Sequence, residues 1–457
     1  MAEGMLDFGL ISDDARVRKR IEAIANEFDY SFGIWNDLEE FFEAEQHCKL
    51  IAFSVSADTS KEVAQKAAEA AQLAKAFSEE GYLISIVSKG LPRDEVEFIQ
   101  KSGVNLVIPA NEVIDTGKMD FFASQVLRSK YIPIKDTDII PETELQFDLF
   151  HLMPLRSKFL RIAKKGRQME PKQLERMHDV NEFYVLREEL PGFKQYTEDT
   201  ADDSHAGLLR RCRGQFLEFS GAYLSLVEMM CDDSKSVGFE EGRQILEDCK
   251  EMVTGLAQTL SQVSNAEVWD IINNSVIGEF GSVERMPAIA AYATHFSTVL
   301  DVEVEELVKM IFAILVMDIG LIMVQPTITE KFRYGKEAEL TEEELGAYHN
   351  YPKISINVLA NKKLPVEGDI KDIILLVNEK ADGTGFPSGH PAERLTFESQ
   401  LIRFCKNFDK ASVLKTGEQR VDHGVKLKEI VEAQVKSFDE FQPTFSAKLK
   451  KLIPPST

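Results

Sequence analysis

The chain has 457 residues, 44% of them hydrophobic and 28% charged, the profile of a folded globular protein of two to four domains. A formal net charge of −23 repels a phosphate backbone, so nucleic acid is excluded as the expected partner. Five scattered cysteines (Cys48, Cys212, Cys231, Cys249 and Cys405) have no Cys-x-x-Cys spacing, which excludes a zinc ribbon or disulfide framework and suits a reducing, cytoplasmic setting.

No basic region precedes an apolar stretch in the first ten residues, so no signal peptide is expected. Residues 1–128 alternate short apolar runs with amphipathic stretches: "LDFGLI" (6–11), "KLIAFSV" (49–55), "YLISIVS" (82–88) and "NLVIP" (105–109). That alternation predicts a parallel sheet with crossover helices, an α/β doubly wound domain. Asp13 and Asp14 follow the first strand and suit the N-terminus of a helix.

The order of elements resembles the receiver domain of two-component signalling. In that comparison Ser54 stands at the phosphoacceptor position, Ser88 at the hydroxyl position, and Pro109 or a neighbour at the lysine position. Asp58 lies beyond the third strand. The resemblance therefore implies a degenerate receiver-like domain with no phosphorylation site.

Residues 131–195 change character. "FDLFHLM", the turn "PLRS" and "KFLRIA" predict a hairpin, "EPKQLERMHDV" a short helix and "EFYVLRE" a returning strand, together a small α+β module. His151 and His178 are isolated here and read as structural or surface residues. The polar, acidic stretch 196–207, which contains His205, reads as a linker. Residues 208–280 are expected to form a pair of long amphipathic helices leading into the next domain, with 208–262 a possible homodimer surface.

The last segment, 281–457, is expected to be all-α. Its window 308–324 is the most apolar in the chain, but it carries Lys309, Asp318 and Gly320 and is too short for a comfortable membrane span, so a buried core helix is expected. The window contains "LVMDIGLIMV" (315–324), and some sixty residues later comes the glycine-rich "EKADGTGFPSGHP" (379–391). Between them "LTEEELGAYHNYP" opens with a capping box from Thr341 to Glu344. "ESQLIRFCKNFDKAS" follows the loop.

These motifs, in this order, resemble the HD-GYP family over about residues 208–450. Active members of that family hydrolyse the bacterial second messenger cyclic di-GMP. Carried over residue by residue, the first metal-binding His falls at Arg285, the His of the His-Asp pair at Met317 and its Asp at Asp318. The next His falls at Tyr351 before Pro352, and the His-His pair becomes Val377-Asn378 with Glu379 retained. The late Asp falls at Asn407 or Asp409. Only Asp318 and Asp409 thus remain as remnant metal positions.

Hydrolysis of a phosphodiester at neutral pH needs metal ions that lower the pKa of water and neutralise phosphate charge, held by imidazoles and carboxylates. The other histidines are badly placed for this. His349 precedes the expected position by two residues, about 200° away around a helix, His295 comes ten residues late, His390 lies beyond Pro387, and His423 is distant. The apolar Met317 and Val377 are expected to fill the former cavity as core. Asp318 then needs a new partner, with Arg285 or Lys331 the expected ones.

The resemblance implies a catalytically inactive, cytoplasmic HD-GYP protein without cofactors, acting through a protein partner. In the family this loop contacts diguanylate cyclase domains, which makes Asp382, Gly383, Gly385, Phe386 and Pro387 the candidate partner-binding residues. One alternative is a non-hydrolysing cyclic di-GMP receptor that uses Arg285, Lys331, Arg333 and Arg403. Another is an active phosphodiesterase with an atypical metal site built from His349, Asp318 and Asp409.

Overall fold

The computed structural model describes residues 5–75, 81–153, 158–176, 182–232, 239–274, 284–333, 336–364, 366–412, 423–436 and 439–453. The chain divides into two compact units. One comprises Met1–Lys130, Val227–Ser236 and Leu321–Tyr348, the other Tyr131–Leu226, Val237–Gly320 and His349–Thr457.

The first unit is built on a five-stranded parallel sheet of β1 (Leu6–Ile11), β2 (Phe32–Trp35), β3 (Cys48–Val55), β4 (Tyr82–Val87) and β5 (Leu106–Pro109), in the order β2-β1-β3-β4-β5. Helices α1 (Ala15–Glu27), α2 (Leu38–Glu43), α3 (Ser60–Lys75), α4 (Arg93–Lys101), α5 (Ala110–Asp115) and α6 (Lys118–Leu127) connect and follow the strands. Helices on both faces explain why the inner strands are apolar almost throughout: Phe8, Leu10, Leu50, Ile51, Ala52, Phe53, Leu83 and Ile84 are buried. Asp14 caps α1 by accepting the Arg16 amide at 2.8 Å. The fifth strand, β2, has no expectation behind it. It is four residues long and pairs only with β1, and so short an edge strand leaves too little apolar periodicity to read.

In the second unit, β6 (Tyr131–Lys135), β7 (Leu149–Met153), β8 (Lys158–Ala163) and β9 (Glu182–Leu186) form an antiparallel sheet in the order β6-β9-β7-β8. β6 contains Pro133 and is an edge strand, the position in a sheet where a missing N–H costs least. The short helix α7 (Pro171–Arg176) precedes β9, and the expected turn at 154–157 and His178 lie outside the described residues. One face of this sheet buries Ile132, Ile134, Leu149, Phe183 and Val185.

The stretch read as a linker is corrected by the structure. Its first four residues complete α8 (Leu190–Asp199), and His205 begins α9 (His205–Cys231), where it pairs with Glu267. Tyr196 is 1% exposed, packs edge-on to Phe147 and accepts the Ile140 amide at 2.8 Å. Acidic neighbours mask the apolar side that Phe193 and Tyr196 form on α8; three residues apart, they share a helix face.

The remaining helices of this unit include α10 (Phe239–Leu260), α11 (Asn265–Asn274), α12 (Met286–Val299) and α13 (Val304–Met317). The chain then contributes α14 (Pro326–Arg333) and α15 (Glu342–His349). It ends in α16 (Tyr351–Asn361), α17 (Gly368–Leu376), α18 (Phe397–Ser412), α19 (His423–Lys436) and α20 (Pro443–Leu449). α12 packs on α10, α13 and α18, and α13 also packs on α17, so α13 is core on most of its circumference. All five cysteines are buried and none forms a disulfide. Among the described residues no helix is long and apolar enough to cross a membrane.

Two predictions come from this packing. Tyr196→Phe removes the acceptor of the half-buried Ile140 amide and is expected to lower stability by about 1 kcal/mol, measured by chemical denaturation. His295 is buried on α12 with Nδ1 3.3 Å from the Leu260 carbonyl oxygen, and burial lowers its pKa. The unfolded chain then takes up a proton near pH 6.5 that the folded chain resists, so stability is unaffected above that pH and falls below it. Thermal denaturation should show a smaller loss between about pH 6.5 and pH 5.5 in His295→Gln than in the parent.

Candidate functional site

α13 ends at Asp318 because the chain turns there into Ile319 and Gly320, and Gly320 lies against the start of α16. Its amide donates to Ser355 Oγ at 2.9 Å, and that hydroxyl donates to the Met317 carbonyl at 2.6 Å. A Cβ on Gly320 would strike the Tyr351 carbonyl oxygen, so only glycine permits the approach. The junction brings Asp318 opposite Tyr351.

Asp318 is 1% exposed and is the hub of a polar cluster. Tyr351 Oη donates to Asp318 Oδ1 at 2.9 Å and accepts from Asn378 Nδ2 at 2.9 Å. Lys406 Nζ, from α18, lies 3.0 Å from Asp318 Oδ2, 3.2 Å from Oδ1, 3.3 Å from Tyr351 Oη and 3.5 Å from Asn378 Oδ1. Met317 and Val377 close the cluster with apolar, fully buried side chains. The partner of Asp318 is thus Lys406, and the expectation of Arg285 or Lys331 is corrected: Lys331 reaches Glu344 at 3.5 Å and the Glu339 carbonyl at 3.3 Å.

Arg285 belongs to the other remnant. Its Nε donates to Asp409 Oδ2 at 3.0 Å, and a second guanidinium nitrogen binds Asp409 Oδ1. Burial works against the guanidinium charge, but the Asp409 carboxylate beside it holds the Arg285 pKa above its ordinary value. Asp318 and Asp409 each have a side-chain cation of their own. His349 stacks on Phe386, His295 Nδ1 lies 3.3 Å from the Leu260 carbonyl oxygen, and the His390 backbone amide donates to Glu379; the His423 side chain lies outside the described residues.

The donor set does not fit a resident catalytic metal. Ammonium and guanidinium groups stand against the two carboxylates, and a phenol and an amide stand at two positions where the resemblance places imidazoles. Among the described residues no three His, Cys, Asp or Glu side chains converge as a metal cluster.

The retained Glu379 fastens the glycine-rich loop. It is buried, and its two carboxylate oxygens accept the amides of Ser388 at 2.8 Å and His390 at 3.0 Å. A Cβ on Gly385 would meet Glu379 Cα and the Lys380 amide nitrogen, so close approach of backbone to backbone requires glycine there. Gly383, at φ 78°, takes the left-handed turn conformation. Asp382 Oδ1 accepts from the Thr384 hydroxyl at 2.7 Å and amide at 2.8 Å, and these bonds hold its pKa below the usual carboxylate range. Asp382 is exposed; Gly383, Gly385, Phe386 and Pro387 are half-buried.

Phe386 faces inward. Its ring lies parallel to His349, centroids 4.4 Å apart and planes at 6°, and edge-on to Tyr351 at 5.9 Å. Tyr351 therefore touches both the loop and the Asp318 cluster. Lys406 is the residue that sequence reasoning missed. Its signal was the spacing on α18, where Ile402, Lys406 and Asp409 recur at three- and four-residue intervals on one face.

Lys406 is 21% exposed at its side chain and Asp318 is 1% exposed, so removing the cation leaves a buried charge uncompensated. Lys406→Met is expected to destabilise the fold by about 3 to 5 kcal/mol, with Asp318→Asn/Lys406→Met recovering much of the loss in a double-mutant denaturation cycle.

Comparison with known proteins completes the site. A family model described as "HD domain" matches residues 241–440. The cyclic di-GMP phosphodiesterase PdeB of Borreliella burgdorferi is 31% identical over 122 residues, which are 27% of this chain and 30% of that protein, so the chain spans less than a third of the curated relative. The solved structure of Bd1817, an HDG"Y"P protein from Bdellovibrio bacteriovorus, aligns over 71% of this chain and 100% of that one, with 12% identity and a TM-score of 0.41. The sequence motifs and the matched family model lead to one conclusion: the chain carries an HD domain over residues 241–440, and its similarity to a cyclic di-GMP phosphodiesterase supports an HD-GYP type.

Proposed function

We propose that the chain is a catalytically inactive HD-GYP signalling protein that works by binding a protein partner in a pathway related to cyclic di-GMP. The observation that carries this reading is the Lys406 ammonium held by Asp318, Tyr351 and Asn378. Metal-assisted hydrolysis needs a divalent cation to acidify water and polarise the phosphate; an ammonium ion bonded to the remaining carboxylate does neither. The match to a cyclic di-GMP phosphodiesterase supports the link to that messenger.

The loop 379–391 is the proposed docking element, with Asp382, Gly383, Gly385, Phe386 and Pro387 its contacts and a diguanylate cyclase domain its candidate partner. Glu379 gives it a fixed conformation, which lowers the entropic cost of docking. In the N-terminal domain, Ser54 on β3 and Pro109 at the end of β5 offer no carboxylate or ammonium, which supports a receiver-like module that does not take part in phosphotransfer. The receptor reading is disfavoured because Arg285, Lys331 and Arg403 are engaged by Asp409, Glu344 and Glu440. The Arg333 side chain lies outside the described residues.

Metal analysis of the purified full chain, with cyclic di-GMP turnover and a calorimetric titration, tests the proposal. Iron and manganese far below one equivalent, no loss of cyclic di-GMP and no heat of binding are expected. Stoichiometric metal with turnover overturns it, and micromolar binding without turnover replaces it with the receptor.

A further inference from the structure

Each sheet ends in two edge strands, β2 and β5 in the parallel one and β6 and β8 in the antiparallel one. An edge strand offers unpaired N–H and C=O groups to any further strand. β5 is withdrawn from such pairing, because Leu106, Val107 and Ile108 are buried and Pro109 closes the strand. β6 carries Pro133, which has no N–H to donate. That leaves β2 and β8. Among the described residues β2 pairs only with β1 and β8 only with β7. Each presents a large apolar side chain to solvent, Phe32 with 36% exposure and Leu160 with 49%.

The two edges carry opposite charge. Residues 149–169 contain six lysines and arginines and no acidic residue, in a chain of net charge −23. Lys164, Lys165 and Arg167 follow β8 and are exposed, as is Arg161 on the strand, which also binds Asp148 at 2.8 Å. Residues 21–48 contain eight aspartates and glutamates and no lysine or arginine. Asp29, before β2, and Glu39, Glu43 and Glu45, after it, are exposed. Two copies of β8, or two copies of β2, would set like charges side by side, whereas β8 beside β2 brings opposite charges together. The acidity of the whole chain does not cancel this attraction, because charges more than about 8 Å apart are largely screened at physiological salt.

We infer that the basic edge β8 of one copy of the chain adds to the acidic edge β2 of a second copy, with Leu160 and Phe32 covered in the joint. The occupant is a second copy because the chain itself supplies both complementary edges. Reciprocal exchange of the two contacts closes a two-fold pair. The argument uses neither the glycine-rich loop nor the Asp318 cluster, so it stands or falls independently of the function proposed above.

Sedimentation of the full chain over a range of concentrations is the test. Self-association is expected at low ionic strength and is expected to weaken as salt is added. Lys164→Glu/Lys165→Glu turns the β8 edge acidic, and Glu39→Lys/Glu43→Lys turns the β2 edge towards basic; all four side chains are exposed, so both variants are expected to fold. Each variant alone is expected to associate about tenfold or more weakly than the parent, because its two edges now repel. Mixing the two variants sets each altered edge against an edge of opposite charge and is expected to restore association. A parent that stays monomeric at low ionic strength, a variant that associates as tightly as the parent, or folded variants that do not recover on mixing would overturn the inference.

Discussion

The helical unit depends on one constraint: Asp318 is an almost fully buried carboxylate at the end of an apolar helix and must have a cation. Lys406 supplies it from α18, and Tyr351 on α16 and Asn378, two residues beyond α17, complete the coordination. The pair adds little stability over an apolar replacement, because removing both charges from water costs about as much as their attraction returns. Its effect is to fix register. The α13, α16 and α18 contributions and the residues just beyond α17 meet with their polar atoms in one arrangement only, and a slip would leave charge exposed to hydrocarbon.

The loop inherits its order from that arrangement. Phe386 lies on Tyr351, whose hydroxyl is already committed to Asp318, and Glu379 ties two loop amides from one residue beyond Asn378. The Glu379 carboxylate thus has a structural role in ordering the loop. Gly385 is needed for the same reason, since the loop passes against the backbone of the residues that anchor it.

Much of this was legible in the sequence because it rests on local pattern. The α/β alternation, the Asp14 cap and the Thr341–Glu344 capping box are all readable from neighbouring residues. The errors have physical causes. β2 and β6 are edge strands, short or interrupted by proline, so their periodicity is faint. The supposed linker hid Tyr196, whose burial depends on a partner 56 residues away. Asp318 was assigned the wrong cation because Lys406 is 88 residues distant, and only the tertiary packing of α18 brings it near. Sequence spacing reveals which residues share a helix face, not which face meets which across a bundle.

The Arg285–Asp409 and Lys406–Asp318 pairs carry one more implication. A bound ion can be withdrawn by a chelator, starved from the medium or changed in valence by oxygen. These cations are covalent parts of the polypeptide, synthesised with it, so the two carboxylates keep their counter-charges whatever ions the solution holds.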